Sequence, residues 1–377
     1  MTLVFFICAF LTCYIVIGWP LLLGILSRIR RNPVRREFIP RSVSVLIPVH
    51  NGAQHLKAKL ESLFALNYPQ ELLEVIVISD GSTDGTDDIA QAFERVRFMR
   101  VAKGGKSAAL TAAFPKATGD ILFLTDVRQE LHPDCLRELI SCFADPKVGA
   151  VSGQLIIRNN GGTRASLDVG LYWKLETWVR YRLSEIDSMF GATGPVYALR
   201  RDLAVPIPAE ILLDDMYLPL AGFFRGYRLV CCESAIAWDY PTSRYTEFGR
   251  KIRTLAGNYQ LLGYSPQLLL PFVNRMWFHY MSYKVGRIIM PWTLLGAFLS
   301  SFWLPDPWRW VAPSCGVLAV LIALLDESVP QGNICKPLTS PTRTFLVMMA
   351  AALVALRVFF VSDPRALWTV TKAEKKA

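Results

Sequence analysis

Residues 42–86 read SVSVLIPVHNGAQHLKAKLESLFALNYPQELLEVIVISDGSTDGT, and this stretch decides the fold. Ser42–Pro48 is an apolar, β-branched run of strand length. Gln54–Leu66 changes to helical spacing, and Glu74–Ser79 (EVIVIS) returns to a buried strand. The alternation continues outward. Thr86–Phe93 is helical, Arg97–Val101 a short strand, Lys106–Ala117 helical, and Asp120–Thr125 (DILFLT) a fourth strand. Strands alternating with helices predict an α/β fold of parallel strands joined by right-handed crossovers. Ligands of such sheets sit beyond the C-terminal strand ends. The polar residues directly after each run are therefore the candidate site residues.

The first strand ends in Pro48-Val49-His50-Asn51-Gly52 and the second in Ser79-Asp80-Gly81-Ser82-Thr83-Asp84-Gly85-Thr86. An Asp there can accept hydrogen bonds from a nucleobase edge or ribose hydroxyls. The plainer alternative is a loop with a helix N-cap at Thr83 or Asp84. Lys103-Gly104-Gly105-Lys106-Ser107 precedes a helix, a setting that favours an anion, although its spacing is not that of a P-loop; a simple capping loop is the alternative. Thr125-Asp126-Val127-Arg128 brings a second carboxylate to the same edge. It is an oxygen ligand suited to Mg or Mn bridging a diphosphate. Gly191-Ala192-Thr193-Gly194-Pro195 reads as a flexible turn. Leu213-Asp214-Asp215 opens a helix, either as a cap or with one acid as general base for an attacking hydroxyl. Arg250-Lys251-Ile252-Arg253 puts Arg250 and Arg253 on one helical face, to clamp phosphate or to face solvent.

The rest of the chain is set by its apolar ends. Of 377 residues, 52% are hydrophobic and 19% charged, and mean hydropathy is positive. Met1–Ile25 is long enough to span a bilayer. Bases follow it (Arg28, Arg30, Arg31, Arg35, Arg36) instead of preceding it, which predicts an uncleaved anchor with its N-terminus outside. With Lys372, Lys375 and Lys376, these bases account for much of the net charge of +10, so the charge points to a membrane surface and not to nucleic acid. Pro266–Lys284, with five aromatics, suits an interfacial helix. Arg287–Leu304, Trp310–Leu325 and Thr344–Val361 are candidate spans. Three further full spans would put the Lys-rich tail outside, against the positive-inside rule, and Arg357 lies within the last of them. That segment therefore reads equally as interfacial or re-entrant. The expected parts are an anchor (1–27), a cytoplasmic enzyme domain (40–263), an interfacial helix (264–284), a membrane region (285–363) and a basic tail (364–377). Eight cysteines without a CxxC pair or a histidine cluster fit buried or lipid-facing thiols in a reducing compartment.

Taken in order, strand–Asp-Gly-Ser, Gly-Lys, strand–Asp, Gly turn, Asp-Asp and Arg cluster, framed by membrane segments, the chain resembles the membrane-anchored family-2 glycosyltransferases, the group of cellulose, hyaluronan and poly-N-acetylglucosamine synthases. The resemblance covers residues 42–260 and, more loosely, the membrane tail. It implies a GT-A-like nucleotide-sugar-binding domain with a mixed, mainly parallel sheet. Pro48, His50 and Asn51 would line the nucleotide pocket. Asp80 would bind the base with Ser82 and Asp84 nearby, and Lys106 would lie near the nucleotide. Asp126 would be the first acid of the metal-binding Asp-x-Asp. Asp215 would be the catalytic base, with Asp214 in place of Glu. Gly191 and Gly194 would match the acceptor-side turn, and Arg253 the arginine of Gln-x-x-Arg-Trp, which contacts the donor diphosphate. The implied reaction is inverting transfer of a hexose from a nucleotide-sugar, UDP-sugar by preference, to a lipid-linked or glycan acceptor. The implied place is the cytoplasmic face of a bacterial plasma membrane, in polysaccharide or glycolipid synthesis.

Two departures qualify it. The second acid of Asp-x-Asp is Arg128, so either Asp126 holds the Mg or Mn with diphosphate oxygens and water, or Arg128 takes over part of the charge neutralisation. The Gln and the Trp of Gln-x-x-Arg-Trp are Arg250 and Thr254. Loss of a Trp that stacks on acceptor sugar favours transfer of one or a few sugars over a processive synthase. A lipid-phosphate sugar transferase and a catalytically inactive membrane scaffold complete the alternatives.

Overall fold

The computed structural model describes residues 1–158, 166–240, 244–330 and 332–361. The chain divides into two compact units. The first, Arg30–Arg158 with Arg180–Pro241, is built on an eight-stranded sheet. Its strands are β1 (Val43–Val49), β2 (Leu73–Asp80), β3 (Val96–Val101), β4 (Ile121–Leu124), β5 (Glu130–Leu131), β6 (Val148–Ile157), β7 (Tyr197–Arg200) and β8 (Arg228–Asp239). Their spatial order is β3-β2-β1-β4-β7-β6-β8-β5. Strands β3, β2, β1 and β4 run parallel, β7 antiparallel to β4 and β6, β8 parallel to β6, and β5 antiparallel to β8. The sheet is mixed and mostly parallel.

The parallel half follows from the sequence pattern. β1 lies between β2 and β4, and Val43, Val45, Leu46 and Ile47 are fully buried. Each such side chain contributes about 1.5–3 kcal/mol, and a strand buried on both faces needs the continuous apolar run seen here. β3 is the edge strand, and Arg97 and Arg100 turn outward from it, a common protection of an exposed edge. The crossover helix Ala53–Phe64 buries Leu56, Leu60 and Leu63 on one stripe.

Because β1, β2, β3 and β4 point the same way, His50–Gly52, Gly81–Thr86, Ala102–Gly105 and Thr125–Arg128 emerge at one edge. Antiparallel β7 starts at that edge, with Tyr197 paired to Leu124, so the Gly191–Pro195 turn lies there too. Pairing of Glu130 with Trp238 draws the loop after Asp126 to the end of β8.

The second unit comprises Met1–Ile29, Asn159–Val179 and Thr242–Ala377. Among the described residues, three of its helices are long and apolar enough to cross a membrane: Thr2–Ile29, Trp308–Ser328 and Lys336–Val361. Residues of Thr2–Ile29 and of the 277–301 segment share two polar contacts, Thr12 Oγ1 to Thr293 Oγ1 at 2.9 Å and Tyr14 Oη to Ser282 Oγ at 2.7 Å. Hydrogen bonds of this kind hold apolar helices in register. Pro266–Lys284 is not one interfacial helix. A 3-10 turn, Pro266–Leu269, is followed by irregular chain through Pro271 and Asn274, which offers no continuous run of N–H donors. A helix resumes at Trp277 and runs through a π turn (Met281–Val285) into Gly286–Ser301. The basic tail, 364–377, lies outside the described residues.

Candidate active site

The loops at the sheet edge brace one another. Asn51, in the left-handed region at φ +51°, donates its N–H to Ser82 Oγ (3.1 Å), and its Oδ1 accepts from Thr83 N (2.9 Å). His50 Nδ1 lies 2.6 Å from the Asp80 carbonyl oxygen. The exposed Asp84 accepts from Ala53 N at 3.1 Å and from Thr86 N at 3.2 Å, tying the starts of two helices together. Partial burial alone would raise the Asp84 pKa, but these hydrogen bonds and that of the Thr86 hydroxyl win and lower it. Pro48 is half-buried in β1, level with Ile78 of β2.

Asp80 is buried, and its two carboxylate oxygens accept from Gly104 N (2.7 Å) and Gly105 N (3.0 Å). The anion that the Gly-Gly-Lys loop invites is thus supplied within the protein. Gly105 has φ +87°, a conformation that favours glycine, and the turn it makes launches the helix Lys106–Ala113. Asp80 therefore sets where that helix starts, and hence where Lys106 stands.

Lys106 is the hub. Its Nζ lies 3.0 Å from Asp126 Oδ1 and 3.3 Å from Asp214 Oδ2. Asp214 is buried; Asp215, the next residue on the helix Asp214–Phe224, is half-buried and so the more open of the pair. A Cβ on Gly194 would lie 3.1 Å from Asp215 Oδ2 and 3.7 Å from Lys106 Nζ, so the turn, the helix start and the ammonium meet. Ala192 N also donates to the Asp215 carbonyl oxygen at 2.8 Å. A Cβ on Gly191 would meet the flexible Met216 side chain. Burial alone would lower the Lys106 pKa, but Asp126, Asp214 and Asp215 overcome it and raise it. Burial likewise opposes ionisation of Asp126, and Lys106, Lys59 and Arg128 hold its carboxyl below the usual range nonetheless. Gly194→Ala is expected to displace the Asp215 carboxylate and lower kcat about 10- to 100-fold, since small misplacements of reacting groups cost about that much. Steady-state kinetics with an unchanged melting temperature check it.

Arg128 is half-exposed and its guanidinium lies 2.6 Å from Oδ2 of buried Asp239; Gln129 Nε2 donates to the same oxygen at 3.0 Å. Arg253 lies on the helix Arg244–Tyr264 of the second unit, so the cluster above is formed by residues of the first unit alone.

Four residues of the site were not singled out from the sequence. Lys59 is buried, with Nζ donating to Thr125 Oγ1 and to the Gln129 carbonyl, each at 2.7 Å. The signal was present: Lys59 interrupts the apolar stripe of Leu56, Leu60 and Leu63. Burial, partly offset by Asp126, lowers its pKa from 10.5 to about 7. Tyr197 is fully buried, and its hydroxyl has no hydrogen-bond partner among the described residues. Burial and the carboxylates of Asp214, Asp215 and Asp126 push its phenol well above the ordinary range. Asp239 and Gln129 complete the set.

The buried lysine gives a pH prediction. Between pH 7 and 10.5 the unfolded chain binds more protons at Lys59 than the folded chain. Stability from this residue therefore rises with pH across that window and is lowest below pH 7. Lys59→Met is expected to raise the melting temperature relative to the native chain more at pH 6 than at pH 9, as a thermal-shift series will show.

The family resemblance implies a divalent cation. Asp126 offers a carboxylate with 36% of its side chain exposed, and Gln129 Oε1 is a buried oxygen without a hydrogen-bond partner among the described residues. Among the described residues no three His, Cys, Asp or Glu side chains come together as a metal site. The residues fit a cation that draws its other ligands from substrate phosphate and water, as Mg often does.

Residues 44–204 match the family described as "Glycosyl transferase family 2", and residues 126–325 match "Glycosyl transferase family group 2". The "Probable glycosyltransferase YdaM" of Bacillus subtilis is 27% identical over 57% of this chain and 55% of its own length. The "Beta-monoglucosyldiacylglycerol synthase" of Nostoc sp. is 32% identical over 58% of this chain and 49% of its own length. The chain spans about half the length of these curated relatives. Among solved structures, a mannosyltransferase from Pyrobaculum calidifontis, in complex with GDP-Man and Mn2+, aligns with a TM-score of 0.71 at 23% identity over 95% of this chain and 99% of that one, which shows a shared fold. With a family match across more than half its length and a GT-A-like sheet, the chain belongs to the family 2 glycosyltransferases.

Proposed function

We propose that this protein transfers one or a few sugars from a nucleotide-sugar, a UDP-sugar by preference, to a lipid-linked or glycan acceptor at the cytoplasmic face of a membrane, with inversion at the anomeric carbon. The observation that carries the proposal is the cluster in which Lys106 joins Asp126 to Asp214 beside Asp215 and the Gly194 turn. The membrane setting draws on the three apolar helices and on the bases that follow the first of them.

In this mechanism Asp215 accepts the proton of the acceptor hydroxyl. The acceptor oxygen attacks the anomeric carbon from the face opposite the diphosphate. The carbon–oxygen bond to the diphosphate breaks, and the nucleoside diphosphate departs with the electron pair. Lys106 and Arg128 place positive charge where negative charge develops, which is commonly the largest catalytic term. His50, Asn51 and the Asp80 loop shape the nucleotide pocket. Asp126 would hold Mg or Mn, which when bound supplies Lewis-acid neutralisation of the diphosphate.

The test is transfer of radiolabelled sugar from UDP-, GDP- and dTDP-sugars to a membrane lipid extract by detergent-purified protein. An organic-soluble product bearing one or a few inverted sugars is expected. A long polymer would make the enzyme processive, and no transfer from any donor by folded protein would favour an inactive scaffold.

A further inference from the structure

The helix Lys336–Val361 carries Pro341, Phe345, Met349 and Ala352 at steps of three or four, which puts them on one of its faces. That face, with Leu255 and Met290 of other helices, walls a cavity of about 290 Å³ within the second unit. The space is about twice that of an apolar cavity large enough to take up benzene. Among the described residues that line it, only Thr344 and Arg287 have polar side chains. A buried water needs about two to four polar partners, so water is a poor occupant. Left empty, the walls forfeit dispersion contacts. Met290, Met348 and Met349 contribute flexible thioethers, which adapt to a chain of no fixed shape. Hydrocarbon is also what surrounds a helix apolar enough to cross a membrane, as Lys336–Val361 is.

One wall residue is charged. Arg287 is paired with Glu176, whose other carboxylate oxygen accepts from the Tyr283 hydroxyl. The Arg287 guanidinium lies 4.3 Å and Lys284 Nζ 5.1 Å from the centre of the Tyr283 ring, so two cations stand about one aromatic side chain. The Arg287 side chain stays 24% exposed in its pairing, and a guanidinium can serve a second anion beside the first. Hydrocarbon walls beside cations are the complement of a lipid that carries a phosphate. We propose that this cavity binds one membrane phospholipid, with part of an acyl chain between the helices and the phosphate at Arg287 and Lys284. The site is built by residues of the second unit alone, and it is independent of the transferase reading above.

The experiment is photo-crosslinking of the detergent-purified full chain with phosphatidylglycerol that carries a diazirine in one acyl chain, followed by peptide mass mapping. Expected on the native chain is saturable labelling within 341–352 and at Met290, displaced by unlabelled phosphatidylglycerol. Diacylglycerol with the same chains should compete about fivefold more weakly, the worth of one basic residue at a lipid phosphate. Thr344→Phe puts a ring into the cavity and should lower labelling there about tenfold or more, since a filled site has no room for the chain. Phosphatidylglycerol should also raise the melting temperature of the native chain, as a ligand of the folded state does, and leave that of Thr344→Phe unchanged. Should Thr344→Phe fail to fold, the competition on the native chain decides. Labelling spread without saturation over all the membrane helices would mean surrounding lipid only and would overturn the proposal. So would diacylglycerol competing as well as phosphatidylglycerol. Sugar transfer is no part of the readout, so either result leaves the transferase reading to its own test.

Discussion

Replacing Asp215 by Asn is expected to lower kcat by about 10²- to 10⁴-fold, the usual worth of a general base, with little change in donor KM. Asp214 is buried against Lys106, whereas Asp215 is half-buried and stands beside the Gly194 turn. A base must reach an incoming hydroxyl, and of the two adjacent acids only Asp215 has the open face to do so. Asn keeps the shape and cannot take the proton, so the loss should fall on kcat. Initial rates at saturating donor measure it, and activity above about a tenth of the native rate would rule out the base role.

The second large effect is that of Lys106→Met. The Lys106 side chain is 17% exposed, and its ammonium is the partner shown for both Asp126 and Asp214. Without it, buried Asp214 faces Asp126 and Asp215 with no cation between them. Removing one member of a buried ion pair costs about 3–5 kcal/mol. We therefore expect a clear fall in melting temperature, and a loss of donor affinity of about tenfold or more as the carboxylates repel the incoming diphosphate. Adding Asp214→Asn should restore part of the stability, because the two changes share one interaction and do not add. Asp214→Asn should not restore donor affinity to the native level. Thermal unfolding of the two single variants and the double variant checks the first point and calorimetry with UDP and GDP the second.

Much of this site is written in short-range sequence. The run from Ser42 to Thr86 contains two strands, the crossover helix and the loop that ends in Asp80, since period and turn residues act locally. The acids at strand ends were legible for the same reason. What escaped depends on distant pairing. Nothing near Arg128 announces that Asp239, 111 positions later, holds its guanidinium. That contact exists because β5 pairs with the end of β8. Strands β6, β7 and β8 are separated by the helices Ser166–Ile186 and Asp214–Phe224, yet β7 pairs antiparallel with β4 and β6, which strand–helix alternation alone does not announce. Asp80 shows a subtler limit. Its place beyond a strand was readable, but the donors it takes, Gly104 N and Gly105 N, depend on where β3 delivers the following loop. Lys59 was legible in principle, as a lysine on an apolar helical stripe, and periodicity alone could not say that Thr125 and Gln129 would receive it. In the membrane unit, aromatic content suggested one interfacial helix over Pro266–Lys284, whereas Pro271 and Asn274 interrupt it and the chain turns before Trp277.

The most direct test of the central claim is acceptor-dependent nucleoside diphosphate release. Purified protein would be given the donor it accepts, with and without membrane lipid extract, beside Asp215→Asn. The account predicts release that requires the extract and falls at least about 100-fold in the variant. Release at the same rate from the variant, or release indifferent to the extract, would contradict it.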